Sequence, residues 1–255
     1  MRRIIAFAYG VVSYAVFFGT FLYAAGFVGN LVVPKTLDGA PVGTFGGSLL
    51  IDLGLLGLFA VQHSVMARPA FKRVWTPMVP PAVERSTYVL ASSLALLFLF
   101  WQWRPLGGAV WDIQYPAGRA LLHAAFAFGW LLVLVTTFLI NHFDLFGLRQ
   151  VWLHLRGRPY RPLPFATPGP YRLVRHPLYV GWLFAFWATP TMTVTHLLFA
   201  VATTAYILIA IRFEERDLIA AHPEYEGYRA RVPMLIPGRR RRPRSDETEP
   251  VVAGV

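Results

Sequence analysis

Four unbroken apolar blocks, at about residues 4–28, 45–67, 87–103 and 120–140, dictate most of what this chain can become. Each approaches the roughly 20 residues that a helix needs to cross about 30 Å of hydrocarbon. In a bilayer every backbone N–H and C=O must be satisfied within the segment, so such blocks are helices. Composition agrees: 56% of the 255 residues are hydrophobic and only 15% are charged, too few polar side chains to cover a soluble domain of that length. The chain reads as an all-α, polytopic integral membrane protein. The first block is too long for a cleavable signal peptide and lacks a small-residue cleavage site.

Two further apolar segments, 177–189 and 194–211, flank "TPTMT". The first is short for a full crossing, so the pair reads as a C-terminal helical hairpin, giving five or six spans in all. With the N-terminus inside, 21 of the 24 Lys and Arg residues fall in 2–3, 68–86, 141–175 and 212–255, and only Lys35, Arg104 and Arg119 fall outside. The positive-inside rule then puts both termini and the 141–175 loop in the cytoplasm, with the protein in the cell membrane. The chain divides into a four-span bundle (1–140), a region of loop, hairpin and cofactor pocket (141–238), and a disordered basic-then-acidic tail (239–255).

The net charge of +11 sits in loops and tail without a nucleic-acid-binding module, so anionic lipid head groups, not nucleic acid, are the expected polyanionic partner. Cysteine is absent, which excludes disulfides, thiolate metal sites and a cysteine nucleophile.

Polar chemistry concentrates after residue 140. In "GPYRLVRHPLYVGW" a proline suits the first position of a helix, where its missing N–H costs nothing. "RHP" therefore marks a helix start with His176 at the cap and Pro177 first, its free N–H groups aimed into the loop beside Arg175. Such an end receives a carboxylate or phosphate. Tyr179 lies one turn on, and Gly181 permits close approach to the backbone. Further along, "RFEERDL" puts Glu214 and Glu215 where a helix C-terminus would prefer cations. Either the helix continues past the membrane, or an acid is kept there for a cationic group. In "HPEYEGYRARVPMLIP", Tyr225 and Tyr228 are three apart on one helix face, which offers aromatic surface to a cation.

Together these three motifs resemble the cofactor region of the isoprenylcysteine carboxyl methyltransferase superfamily, membrane enzymes that use S-adenosylmethionine. The resemblance covers about residues 160–238. With "VQHSVMARPAFK", "PPAVERSTYVLAS", "WQWRPL" and "INHFDLFGLRQVW", most of the chain is similar to one branch, the bacterial methanethiol S-methyltransferases. A sister branch associated with nitrogen-oxide metabolism shares part of the pattern. The resemblance implies cofactor contacts at Tyr171, His176, Pro177, Leu178, Tyr179 and Glu214, and at the less similar loop Leu163, Pro164, Phe165 and Ala166. The arginine that holds a prenylcysteine in the wider superfamily would fall near Ala210 here, with Arg212 displaced from it. That departure favours a small thiol, which has no carboxylate to hold.

Methyl transfer to a thiol needs no metal and none is expected; its main demands are alignment and a dry pocket. The thiol must also lose its proton. His142 and Asp144 in "NHFDLFGLRQ" could form a base with its orienting carboxylate, with Arg149 stabilising the thiolate, and His63 in "VQHS" is the other candidate base. Two different readings compete: an NADPH-binding membrane reductase, suggested by related C-terminal motifs, and a small-molecule transporter. The clear spans carry few ionisable groups, which disfavours transport.

Overall fold

A computed structural model describes residues 1–238 of the chain; the tail expected to be disordered, 239–255, lies outside the described residues. Five helices are long and apolar enough to cross a membrane: α1 (Arg2–Gly29), α2 (Phe45–Ala67), α4 (Pro81–Gln102), α5 (Pro116–Leu139) and α9 (Val194–Ala221). Shorter helices lie between them: α3 (Pro69–Trp75), α6 (His142–Leu145), α7 (Leu148–Leu155), α8 (Pro177–Trp187) and α10 (Glu224–Arg231). The third and fourth spans start at Pro81 and Pro116, a turn or more before their apolar blocks, because proline is at home in a helix's first turn. Large apolar side chains such as Leu50, Val61, Trp101 and Leu121 point outward, the arrangement a lipid solvent allows.

Two strands, β1 (Ala109–Asp112) and β2 (Thr191–Thr193), pair antiparallel. They were not expected from the hydropathy pattern. They close the end of the bundle that carries Lys35 and Arg104, and β2 replaces what the hairpin reading treated as a simple turn. At this end Asp38 ties loop to bundle: its carboxylate takes hydrogen bonds from Asn30 (2.7 Å) and Thr193, and faces Nδ1 of the buried His196 at 3.3 Å. The opposite, arginine-rich end carries Arg68, Arg175 and Arg229 together.

The eleven residues of α8 rise only about 16 Å at 1.5 Å per residue, so this leg does not cross by itself. The 28 residues of α9 rise about 42 Å and pass beyond the hydrocarbon. The helix therefore continues through Glu214 and Glu215 to Ala221, and the two acids are not at its end.

What fixes α8 is contact with α5. A Cβ on Gly129 would stand 2.5 Å from the Ala185 nitrogen and 2.7 Å from the Gly181 oxygen, and one on Gly181 would stand 2.9 Å from the Gly129 oxygen. The two backbones touch because both positions lack a side chain, the device by which membrane helices pack without a hydrophobic driving force. The first turn of α8 is thereby held at the arginine-rich end.

Candidate active site

The start of α8 is built as its sequence implies. Pro177 is the first helical residue, His176 accepts the N–H of Val180, and the N–H groups of Leu178 and Tyr179 take no partner among the described residues. The returning segment after α10 clamps this turn, because Arg175 N–H donates to Pro233 O (2.9 Å) and His176 N–H to Met234 O (3.2 Å).

Glu215 is the buried hub. Its Oε1 takes hydrogen bonds from Arg175 Nε (2.7 Å), His176 Nε2 (3.0 Å) and the Tyr225 hydroxyl (3.3 Å), while Oε2 faces Arg229 Nε at 3.3 Å. Its side chain is 8% exposed and that of Arg175 is 11%. Successive helical residues point about 100° apart, so Glu214 turns away from this hub. Its side chain is 44% exposed; it takes a hydrogen bond from the Tyr179 hydroxyl at 2.8 Å, and its Oε2 lies 3.9 Å from His176 Nδ1. Two neighbouring acids thus have different tasks: Glu215 holds the fold, and Glu214 remains available.

The expected aromatic face is present but closed. Tyr225 and Tyr228 on α10 are buried, and Phe165 of the 163–166 loop packs on both rings at 5.7 and 5.6 Å. The Tyr228 hydroxyl donates to Tyr171 O at 2.5 Å. Burial pushes the Tyr228 phenol up to about 12, and raises Tyr171 and Tyr225 in the same direction. Tyr225 and Tyr228 act as neutral donors and packing surface. Leu163, Pro164, Phe165 and Ala166 lie in the irregular stretch that covers α10. Beside the hub, a cavity of about 260 Å³ is lined by Arg212, Glu215, Arg216, Ile219 and Arg229.

The structure does not bring His142 and Asp144 together as base and orienting carboxylate. His142 has Nε2 on the Tyr14 hydroxyl and Nδ1 on the Thr137 hydroxyl, both at 2.8 Å, and its ring stacks on Phe138 at 4.1 Å. Asp144 instead binds Arg149 at 2.8 Å and Tyr160 at 3.3 Å. The reason is local. Asn141 caps α6 by accepting the N–H of Asp144, and the short helix turns the imidazole inward and the carboxylate outward. Burial lowers the affinity of His142 for a proton. Arg149 is committed to this ion pair. His63 is held in a similar way: Nδ1 lies 3.1 Å from Ser92 Oγ, the Tyr88 hydroxyl lies 3.1 Å from Nδ1 and 3.0 Å from Nε2, and the ring stacks on Phe59 at 5.2 Å.

Tyr88, Ser92 and Tyr206 escaped the sequence reading, since single hydroxyls in apolar blocks read as lipid-tolerant filler. A shared-face pattern would have flagged Tyr88 and Ser92, four apart on one helix.

A methanethiol S-methyltransferase from Crocosphaera subtropica is 56% identical over 238 residues, 93% of this chain and 93% of the relative. One from Mycobacterium tuberculosis is 56% identical over 238 residues, 93% of this chain and 98% of the relative. More distantly, nurim from Mus musculus is 34% identical over 183 residues, 67% and 68% of the two chains. No family model and no solved structure matches. Identity this high, along nearly the whole length of both proteins, means that the chain belongs to the methanethiol S-methyltransferase family.

Proposed function

We propose that the protein transfers a methyl group from S-adenosylmethionine to methanethiol, giving dimethyl sulfide, at the arginine-rich end of the bundle. The observation that carries this reading is the division between Glu214 and Glu215. A half-exposed carboxylate bonded to Tyr179 and 3.9 Å from His176 Nδ1, next to helix-start N–H groups without partners among the described residues, fits a ligand that carries a cation, hydroxyls and a carboxylate on one frame.

When bound, S-adenosylmethionine supplies an electrophilic methyl group on a sulfonium. Glu214 would accept hydrogen bonds from its ammonium or ribose hydroxyls, and the N–H groups of Leu178 and Tyr179 would receive its carboxylate. Tyr179, bonded to Glu214, sets the carboxylate's direction. Arg175, His176 and Glu215 keep the first turn of α8 in place from behind, and Phe165 with Tyr225 and Tyr228 seals the outer side from water. A dry, aligned site is what a displacement that neutralises opposite charges requires. The asymmetry of Lys and Arg along the sequence supports a cytoplasmic position for this end, where the nucleoside donor would be reached.

The test is direct. Purified protein in nanodiscs is incubated with methyl-labelled S-adenosylmethionine and methanethiol, and labelled dimethyl sulfide is measured in the headspace. Label appearing in another acceptor, with none in dimethyl sulfide, would refute the substrate assignment; no transfer to any thiol would refute the function.

A further inference from the structure

Charge is balanced unevenly at the arginine-rich end. Arg68 is paired with Asp217 at 2.9 Å, and Arg149 with Asp144 at 2.8 Å. The cavity of about 260 Å³ beside Glu215 is different. Its walls include Arg212 and Arg216 from α9 and Arg229 from α10, and Arg175 reaches the same acid from behind. Four guanidiniums therefore share one buried carboxylate. That carboxylate is already committed, because Oε1 takes Arg175, His176 and Tyr225, and Oε2 faces Arg229 at 3.3 Å. Arg212 and Arg216 have no ion pair and no side-chain hydrogen bond among the described residues. Cations gathered around a cavity repel one another, and an anion placed between them removes that repulsion.

Position along α9 says which anion. The helix begins at Val194, next to the strands that close the other end of the bundle. At 1.5 Å per residue, Arg212 stands about 27 Å and Arg216 about 33 Å from that start. The hydrocarbon is about 30 Å thick, so the two arginines bracket the boundary between acyl chains and head groups. Val201, Leu208, Arg212, Arg216 and Ile219 follow at intervals of seven, four, four and three residues, and so share one face of α9. Val201 and Leu208 are exposed, as side chains that meet lipid tails are. One face thus offers alkyl surface at the depth of the tails and, directly beyond it, a cationic cavity at the depth of the phosphates. A guanidinium grips a phosphate through two parallel N–H donors. A phosphate from free solution would make no use of the alkyl stripe.

We propose that this cavity binds the head-group phosphate of one anionic phospholipid. Arg212 and Arg216 grip the phosphate, Arg229 is shared between it and Glu215, and the acyl chains lie along Leu208 and Val201. The lipid supplies the counter-charge that Glu215 alone does not. It also joins α10 to α9 beside the residues that hold the start of α8, so the site is a structural lipid site and takes no part in methyl transfer.

The experiment uses the full chain in nanodiscs of equal parts phosphatidylglycerol and phosphatidylcholine, which both carry a phosphodiester but differ in net charge. Lipids retained through detergent extraction are counted by native mass spectrometry. The parent should keep one phosphatidylglycerol in preference to phosphatidylcholine. In the double variant Arg212→Gln/Arg216→Gln that preference should fall about 30-fold, or about fivefold for each guanidinium removed. Arg73→Gln/Arg158→Gln, which removes two exposed arginines elsewhere on the same end, should match the parent. A parent without preference overturns the proposal, and so does an equal loss in the two double variants. If Arg212→Gln/Arg216→Gln does not fold, Arg216→Gln alone is read, and an unchanged preference there is fatal. Two further arms separate the other possible occupants. Thermal unfolding of the parent should rise with phosphatidylglycerol and not with inorganic phosphate in pure phosphatidylcholine discs; an equal rise with phosphate assigns the cavity to a soluble anion. Calorimetry in pure phosphatidylcholine discs should show the same S-adenosylmethionine binding for parent and Arg212→Gln/Arg216→Gln; lost binding places the cavity in the donor site and overturns the lipid assignment.

Discussion

Gly129→Ala is a one-methyl test of how α8 is held. The added Cβ would lie 2.5 Å from the Ala185 nitrogen, 2.7 Å from the Gly181 oxygen and 2.9 Å from the Phe184 Cβ, where comfortable contact starts at 3.4 Å. The nearest two atoms are backbone, so no side-chain rotation relieves the clash and α8 must retreat by about 1 Å. Overpacking of this kind costs about 1–3 kcal/mol of stability. The larger consequence is catalytic, because Pro177, Leu178 and Tyr179 ride on the displaced helix, and a 1 Å misplacement can cost about 10²-fold in rate. The assay pairs thermal unfolding with kcat/KM for labelled methyl transfer. Gly54→Ala and Gly57→Ala on α2 are the controls. Nothing lies within 4 Å of a Cβ at either position, and replacing a helical glycine gains up to about 1 kcal/mol of propensity. Gly129→Ala with unchanged rate and unfolding, or controls as damaging as the test variant, would show that α5–α8 contact does not set the site.

The two adjacent acids should separate in experiment. Glu215→Gln leaves Arg175 and His176 without their buried counter-charge and should cost about 3–5 kcal/mol in chemical unfolding, whereas Glu214→Gln should unfold like the parent. Calorimetry on Glu214→Gln should show about 10- to 100-fold weaker S-adenosylmethionine binding, the loss of a hydrogen bond to a charged group; equal effects of the two variants on unfolding would contradict the division of tasks. At the other end, burial works to raise the Asp38 carboxyl, but hydrogen bonds from His196, Thr193 and Asn30 outweigh it and hold it below its ordinary 3.8. A depressed folded-state pKa gives stability that is present above the unfolded value and lost as pH falls through the folded one. The parent should therefore lose unfolding temperature below about pH 4, and Asp38→Asn should be less stable at pH 7 with that acid-dependent part removed.

The sequence alone determined that this is a helical membrane protein, because blocks of apolar residues in lipid have no other way to satisfy their backbones. It also located the start of α8, since proline after a polar cap is a local signal, and it named Glu214, Tyr179 and His176 as members of one region. Tertiary structure decided which of them is free. Glu214 and Glu215 are chemically alike and adjacent, and only the approach of Arg175, His176 and Arg229 from other segments buries one and leaves the other open. The same holds for the histidines. "NHFD" reads as a base with its carboxylate, yet the cap at Asn141 turns the two side chains apart. His63 gains its Ser92 and Tyr88 partners from a helix about 30 residues away in sequence. Periodicity reports which way a residue faces along its own helix; which neighbour it meets depends on the packing of other helices, and that is set by distant contacts such as Gly129 on Gly181.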